Sequence, residues 1–226
     1  MFITVIAAFV LTLVAHIGAR VLSRRLPVFP TVITALALVL LLLWLFRWDY
    51  NDYYAAAQPI FDRLLGYVTV LLAVPLAAMN FKGLPIKRLC LIVAAASVVG
   101  ALLPMALAYL FSLPLDSILA FATRSVTTPI GLSVASLIHA PLPLANLIII
   151  VSGLLGGTLA KFLFHNIEDD RAKGLALGLA AHAFGTVEAW QISATAGRYA
   201  AFGLAVNGLL TAVWLPIFIS ALPLQV

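Results

Sequence analysis

The chain is short of almost everything from which a water-facing surface is built. Only 9% of its 226 residues are charged, against about a quarter in an ordinary soluble domain. With 64% hydrophobic residues and a mean hydropathy of +1.16, too few polar groups remain to clothe a soluble globule. Cysteine is nearly missing, and the single Cys90 excludes an intramolecular disulfide. No polar linker long enough to separate one domain from another interrupts the chain, so residues 1–226 are expected to form one integral membrane domain. His, Cys, Asp and Glu nowhere fall at metal-ligand spacing, and no nucleophile stands beside a base. Phosphate-loop patterns are missing too, and GLLGG at 153–157 is a small-residue packing face. An enzyme, a bound metal and a cofactor are therefore not expected. The net charge of +5 suits cytoplasmic loops of a membrane protein, with the lipid bilayer rather than nucleic acid as partner.

What is there is a series of long apolar runs. A helix needs about 20 mostly apolar residues to cross the hydrocarbon layer. Eight candidates occur, at 2–20, 28–46, 64–80, 89–111, 115–138, 143–164, 174–190 and 199–221. The runs are continuous rather than alternating, which favours helices over a barrel. The expected fold is an all-α polytopic membrane protein. No positive charge precedes the apolar run Phe2–Val14, and Arg20, Arg24 and Arg25 follow it. That order suits a first membrane helix that starts outside and ends in the cytoplasm, not a cleavable signal. RWDYNDYYAAAQPIFDR reads as a connecting segment whose aromatics suit a membrane–water boundary, and HNIEDDRAK as a solvated loop.

Charge bias tests the topology. Straight alternation places Arg20, Arg24, Arg25, Lys82, Lys87 and Arg88 inside, and Arg47, Arg63, Lys161, Arg171 and Lys173 outside. If 115–138 instead enters and returns on one side, Lys161, Arg171 and Lys173 move inside and the bias becomes nine against two. The positive-inside rule prefers the second arrangement. A shift of 58 residues also brings Val68-Thr69 onto Val126-Thr127, Leu84-Pro85 onto Leu142-Pro143 and Thr128 onto Thr186. This weak similarity suggests duplication, and an odd number of crossings per unit would make the repeats inverted, with sites at broken helices near the midplane.

The stretch to be broken is RSVTTPIGLSV, 124–134. An Arg at the centre of a span costs about 2.5–3.5 kcal/mol. On a continuous helix Arg124, Thr127, Thr128 and Gly131 would share one face. Pro129 has no N–H to give the carbonyl of Ser125, and it drives Thr128 toward an extended conformation. A helix broken at 124–130 leaves loose backbone groups beside a guanidinium and hydroxyls. That combination suits a carboxylate, because the planar fork bonds both oxygens. Arg124, Ser125, Thr127, Thr128 and Pro129 are thus the candidate substrate-binding segment. The bland alternative is an Arg124–Glu188 or Arg124–loop pair that only fixes packing. A second cluster, GLAAHAFGTVEAW at 178–190, sets His182, Gly185 and Thr186 along one face, with a further break expected at 182–187. His182 and Glu188 are candidates for carrying a coupling proton. Thr69 and Pro75, at a third expected break over 68–76, together with Asn80 and Asn207, are candidate polar linings. His16 reads as interfacial, and His139 and His165 lie in loops.

RSVTTPI, SGLLGG, RAKGLALGLAAHAFGT and GLAVNGLLTAVWLP together resemble the LrgB/CidB family of bacterial antiholin-like membrane proteins, over residues 64–221. The carboxy-terminal half of the plastid glycolate/glycerate translocator is similar to that family. The family motif usually opens with lysine, and Arg124 keeps the charge; where the family often has a basic residue after His-Ala-x-Gly-Thr, this chain has Glu188. The resemblance implies a multi-pass protein of the bacterial inner membrane, paired with a small LrgA/CidA-like membrane protein. It also implies two functions of different class. One is carriage of small monocarboxylates such as glycolate, glycerate, pyruvate or lactate, in which His182, Gly185 and Thr186 would complete the Arg124 pocket by alternating access. The other is a holin/antiholin-like role in regulating murein hydrolase activity and cell lysis. A homodimer is the default assembly.

Overall fold

The computed structural model describes residues 2–25, 31–71, 74 and 85–223. Among these, every regular element is a helix: α1 (Phe2–Arg25), α2 (Thr31–Phe46), α3 (Tyr50–Leu71), α4 (Ile86–Leu110), α5 (Leu115–Phe121), α6 (Thr128–Leu137), α7 (Leu142–Leu163), α8 (Asp170–Ile192) and α9 (Ala194–Ser220). Among the described residues, four stretches are long and apolar enough to cross a membrane: Ile3–Arg25, Ile86–Leu110, Leu142–Ala160 and Ala194–Ser220. Their outer faces carry Leu, Ile, Val and Phe in the open, as at Leu91, Leu107, Leu155, Leu209 and Ile217. A lipid environment accepts such a surface where water would not.

The chain divides into two compact units, Met1–Val68 and Thr69–Val226. In the first, Ala8 and Leu11 of α1 pack with Leu43 of α2 and with Tyr53, Ala56 and Ala57 of α3. Thr12 Oγ1 and the Tyr53 hydroxyl lie 2.7 Å apart. The expected connecting segment over 47–63 is largely helical instead. Asp49 accepts from the Asn51 N–H at 2.8 Å just ahead of α3, and spacing of Tyr53, Ala56 and Ala57 at three and four residues gives that helix a buried face. The expected break at 68–76 is not described beyond Leu71 apart from residue 74. Pro75, Asn80 and the side chain of Thr69 lie outside the described residues.

The second unit is ordered by its pairings. α4 and α9 run parallel: Leu89 and Val93 pack with Tyr199 and Phe202, Ser97 bonds Thr211 at 2.8 Å, and Ala101 joins the cluster of Leu215 and Ile219. α7 runs the other way, with Ala145 in the cluster of Leu215 and Ile219 and Ala160 in that of Ala196 and Ala200. α7 therefore begins at the face where α4 ends. The segment between them, α5 and α6, enters and leaves by that one face, as the charge bias requires. At about 1.5 Å per residue the two arms are roughly 10 and 15 Å long, enough to reach the middle of a ~30 Å core and no further.

The span expected over 174–190 is a second such hairpin, not a crossing. His182 has φ 40° and ψ −121°, which ends one helix and starts another. Arm 170–181 runs alongside α9, because Gly174 and Gly178 lie against the backbone of Ala196 and Ala200. Arm 183–192 turns back: Gly185 abuts the Leu177 carbonyl, and Ala189 joins the cluster of Leu177 and Ala196. Asp169 caps the hairpin by accepting from the Arg171 N–H. The side-chain bond from Arg171 holds that carboxyl below its usual range. One crossing plus one hairpin therefore occurs twice, α4 with α5–α6 and α7 with α8, in opposite directions. The repeat expected from the sequence is inverted, and α9 lines both copies.

Candidate functional site

The two hairpin tips meet near the middle of α7. At the first, α5 ends at Phe121 and the chain passes through turns to Thr127, whose φ −66° and ψ 150° make it extended. α6 starts at Thr128 with Pro129 in its first turn. The extended residue is Thr127, not Thr128 as Pro129 implies in the sequence, because proline is well tolerated in a first turn. Arg124 and Thr127 thus lie outside a helix, and the expected stripe with Thr128 and Gly131 does not form.

Breaking a helix in lipid frees carbonyls, and each left bare costs several kcal/mol. Two side chains from distant helices answer this. Asn207 Nδ2 on α9 donates to the Ser125 carbonyl at 2.7 Å, the group that Pro129, lacking an N–H, leaves open. Ser152 Oγ on α7 donates to the Arg124 carbonyl at 2.8 Å. That hydroxyl also lies 3.0 Å from the Ile149 carbonyl, which His182 Nε2 reaches at 3.1 Å. A carbonyl only accepts, so Nε2 carries the proton. Hydrogen bonds to one turn of α7 thus tie Arg124 of the first tip to His182 of the second. Gly153 leaves the room: a Cβ there would come within 2.6 Å of the imidazole. Thr186 Oγ1 donates to the His182 carbonyl at 2.9 Å and steadies the turn.

The residues singled out in the sequence are placed as follows. Ser125, Thr127, His182 and Asn207 are buried, while Arg124, Thr128, Pro129, Thr186 and Glu188 are half-buried. Thr127 precedes the first residue of α6, yet its hydroxyl makes no capping bond. The Oγ atoms of Ser125 and Thr127 and Oδ1 of Asn207 are buried without a partner among the described residues. Gly185 serves the packing of the two arms. Glu188 does not meet Arg124: it lies by Gly157 and lines a cavity of about 350 Å³ with Lys173, Phe164 and Gln191. Among the described residues, the ion pairs are Arg171–Asp169 at 2.9 Å and Lys173–Asp170 at 3.5 Å, both at the start of α8. Arg124 is in neither, so the packing pair with Glu188 is not formed. Sequence reasoning misses Ser152, and also the buried Ser97–Thr211 pair that accepts from Trp214 Nε1 at 2.8 Å. Ser152 sits at the head of the glycine run 153–157, and a lone hydroxyl there is its only signal.

Set beside known proteins, residues 12–221 match the family described as LrgB-like. The match reaches further toward the N-terminus than the 64–221 region of the sequence resemblance. The holin-like protein CidB of Staphylococcus aureus (strain Mu50 / ATCC 700699) is 30% identical over 92% of this chain and 93% of its own length. CidB of Staphylococcus epidermidis (strain ATCC 12228 / FDA PCI 1200) is 27% identical over 84% of this chain and 83% of its own. The Bacillus subtilis (strain 168) protein YwbG is 28% identical over 97% and 99% respectively. No solved structure matches.

Proposed function

The chain belongs to the LrgB-like family, and from the geometry of its hairpin tips we propose that it carries small monocarboxylates across the bacterial inner membrane by alternating access. The observation that carries this reading is Arg124. It stands at a broken helix inside the bilayer, with no acidic partner among the described residues. A fixed cation in that place is stabilised when an anion rests against it. Arg124 forks onto the carboxylate, and the spare Thr127 hydroxyl, with Thr128 and Pro129 at the positive end of α6, sets the position of its oxygens. His182 and Thr186 hold the second tip against the first. Glycolate, glycerate, pyruvate and lactate are the size and charge that fit this chemistry. His182 and Glu188 are the titratable groups of the second hairpin through which a proton would couple.

The face bearing Lys87, Arg88, Arg171, Lys173 and Arg198 is cytoplasmic in this proposal, because the turns at 111–114 and 138–141 on the other face hold no Lys or Arg. The N-terminus is outside, a small LrgA/CidA-like membrane protein is the partner, and a homodimer is the assembly.

A second reading has its own support. The Staphylococcus relatives are named holin-like, and those names speak for a lysis-regulating membrane component rather than for a carrier. Purified protein in liposomes separates the two. A carrier takes up radiolabelled lactate or pyruvate with saturation and is competed by related acids. A pore releases unrelated solutes, such as a small neutral dye, without saturation, and that result would sink the carrier reading.

A further inference from the structure

We propose that Asn207 and Ser125, at the crossover of the first hairpin, bind a sodium ion. The Asn207 amide has one orientation, because its Nδ2 donates to the Ser125 carbonyl at 2.7 Å. Turned over, it would set two acceptor oxygens against each other. Oδ1 is therefore a pure acceptor. It is buried and has no donor among the described residues, and Ser125 Oγ is likewise buried without a partner there. A buried acceptor left without a partner costs about 1–3 kcal/mol, so the place calls for a donor or a cation. An anion cannot satisfy an amide oxygen, so the carboxylate invoked at Arg124 does not answer this demand.

The donor set names the ion. Calcium and magnesium sites recruit carboxylates, and softer metals recruit Cys and His. Among the described residues no such group of three exists. Broken-helix sites hold sodium on the neutral carbonyl oxygens of unwound backbone, and the Asn207 amide oxygen and Ser125 hydroxyl are neutral oxygens of the same hard kind beside such a break. Arg124, the residue before Ser125, is a cation beside the place, while the other polar groups there are neutral and buried: Ser97, Thr123 and Thr211 are each at most 1% exposed. Gly100 of α4 faces Ser125 Oγ, where a Cβ would come to 3.0 Å, so the close approach there relies on a glycine.

The inference stands without the carrier reading. Where both hold, a carboxylate on Arg124 offsets the added positive charge, and by linkage each ligand raises the affinity for the other. The test uses the purified full-length protein in detergent, unfolded thermally in sodium chloride and in choline chloride at equal ionic strength. Retention of radioactive sodium is measured alongside. Sodium should raise Tm in proportion to the logarithm of its concentration above Kd, by about 3–6 °C at tenfold its Kd, and retained sodium should saturate. Asn207→Ala and Ser125→Ala should each weaken sodium binding by about tenfold or more. Ser125→Ala removes one oxygen and keeps the backbone bond to Asn207, so it decides the matter if Asn207→Ala fails to insert. Arg124→Ala should keep the sodium response while losing carboxylate uptake, which separates a failure of this inference from a failure of the carrier reading. Equal unfolding in both salts with no retained sodium, or a sodium response that Ser125→Ala leaves unchanged, overturns the proposal.

Discussion

Arg124, Ser152 and Asn207 divide the work of the first tip: one supplies charge, and two supply the hydrogen bonds that let the backbone stay open. Arg124→Ala should abolish saturable uptake in proteoliposomes while the protein still inserts, since no described ion pair is broken by the change. Arg124→Lys should insert equally well and bind more weakly, because an ammonium lacks the planar fork; a rise in KM larger than the fall in kcat would show it. Ser152→Ala strands the Arg124 carbonyl, and stability should drop by about 1–3 kcal/mol in thermal melts. Uptake that survives Arg124→Ala would remove the basis of the proposed site. Arg124 and Asn207 are both legible in the sequence, as polar groups where hydrocarbon should be. Ser152 is not, because one hydroxyl beside three glycines reads as packing.

At the scale of elements, the two hairpins rest on small residues. Gly178 lies against the Ala200 backbone, where a Cβ has no room. Gly178→Ala should therefore destabilise by about 1–3 kcal/mol or more, measured by Tm and by the yield of inserted protein. Gly66, on α3, has open space where a methyl group would point, with nothing within 4 Å. Gly66→Ala should be neutral or stabilising, since alanine favours a helix by about 0.5–1 kcal/mol over glycine. The pair of variants tests the close packing of arm 170–181 rather than glycine loss in general. The first hairpin can be read from Pro129 and the basic loops. The break of the second falls at His182, within the 182–187 expected from the sequence, but its reversal cannot be read there: His182 is neither Gly nor Pro, and nothing in helical periodicity marks a left-handed residue inside an apolar run. The segment 50–63 departs from its sequence reading for the opposite reason, its aromatics and acids suggesting a boundary loop where they belong to helix α3.

At the scale of the second unit, the inverted repeat makes a sharp topological prediction. In a Cys90→Ser background, single cysteines at Ser112, His139 and Leu222 should react with a membrane-impermeant maleimide from one face, and those at His165 and Asp169 from the other. Straight alternation of crossings would put Ser112 and His139 on opposite faces, so labelling of those two from different sides would refute the hairpin.

The solvent of this protein is settled by composition alone, because transfer of an apolar residue out of water depends on that residue and little else. The broken helix is settled almost as locally, since a missing N–H is a property of Pro129. What folding alone decided is who answers the break. Asn207 lies 82 residues from Ser125, and Ser152 lies 28 from Arg124. Those meetings depend on the directions of α7 and α9 and on the chain's reversal at His182, a direction that no local pattern records. Burial sets the energy of a membrane chain residue by residue, but hydrogen-bond partners for a fractured backbone come only from three-dimensional proximity.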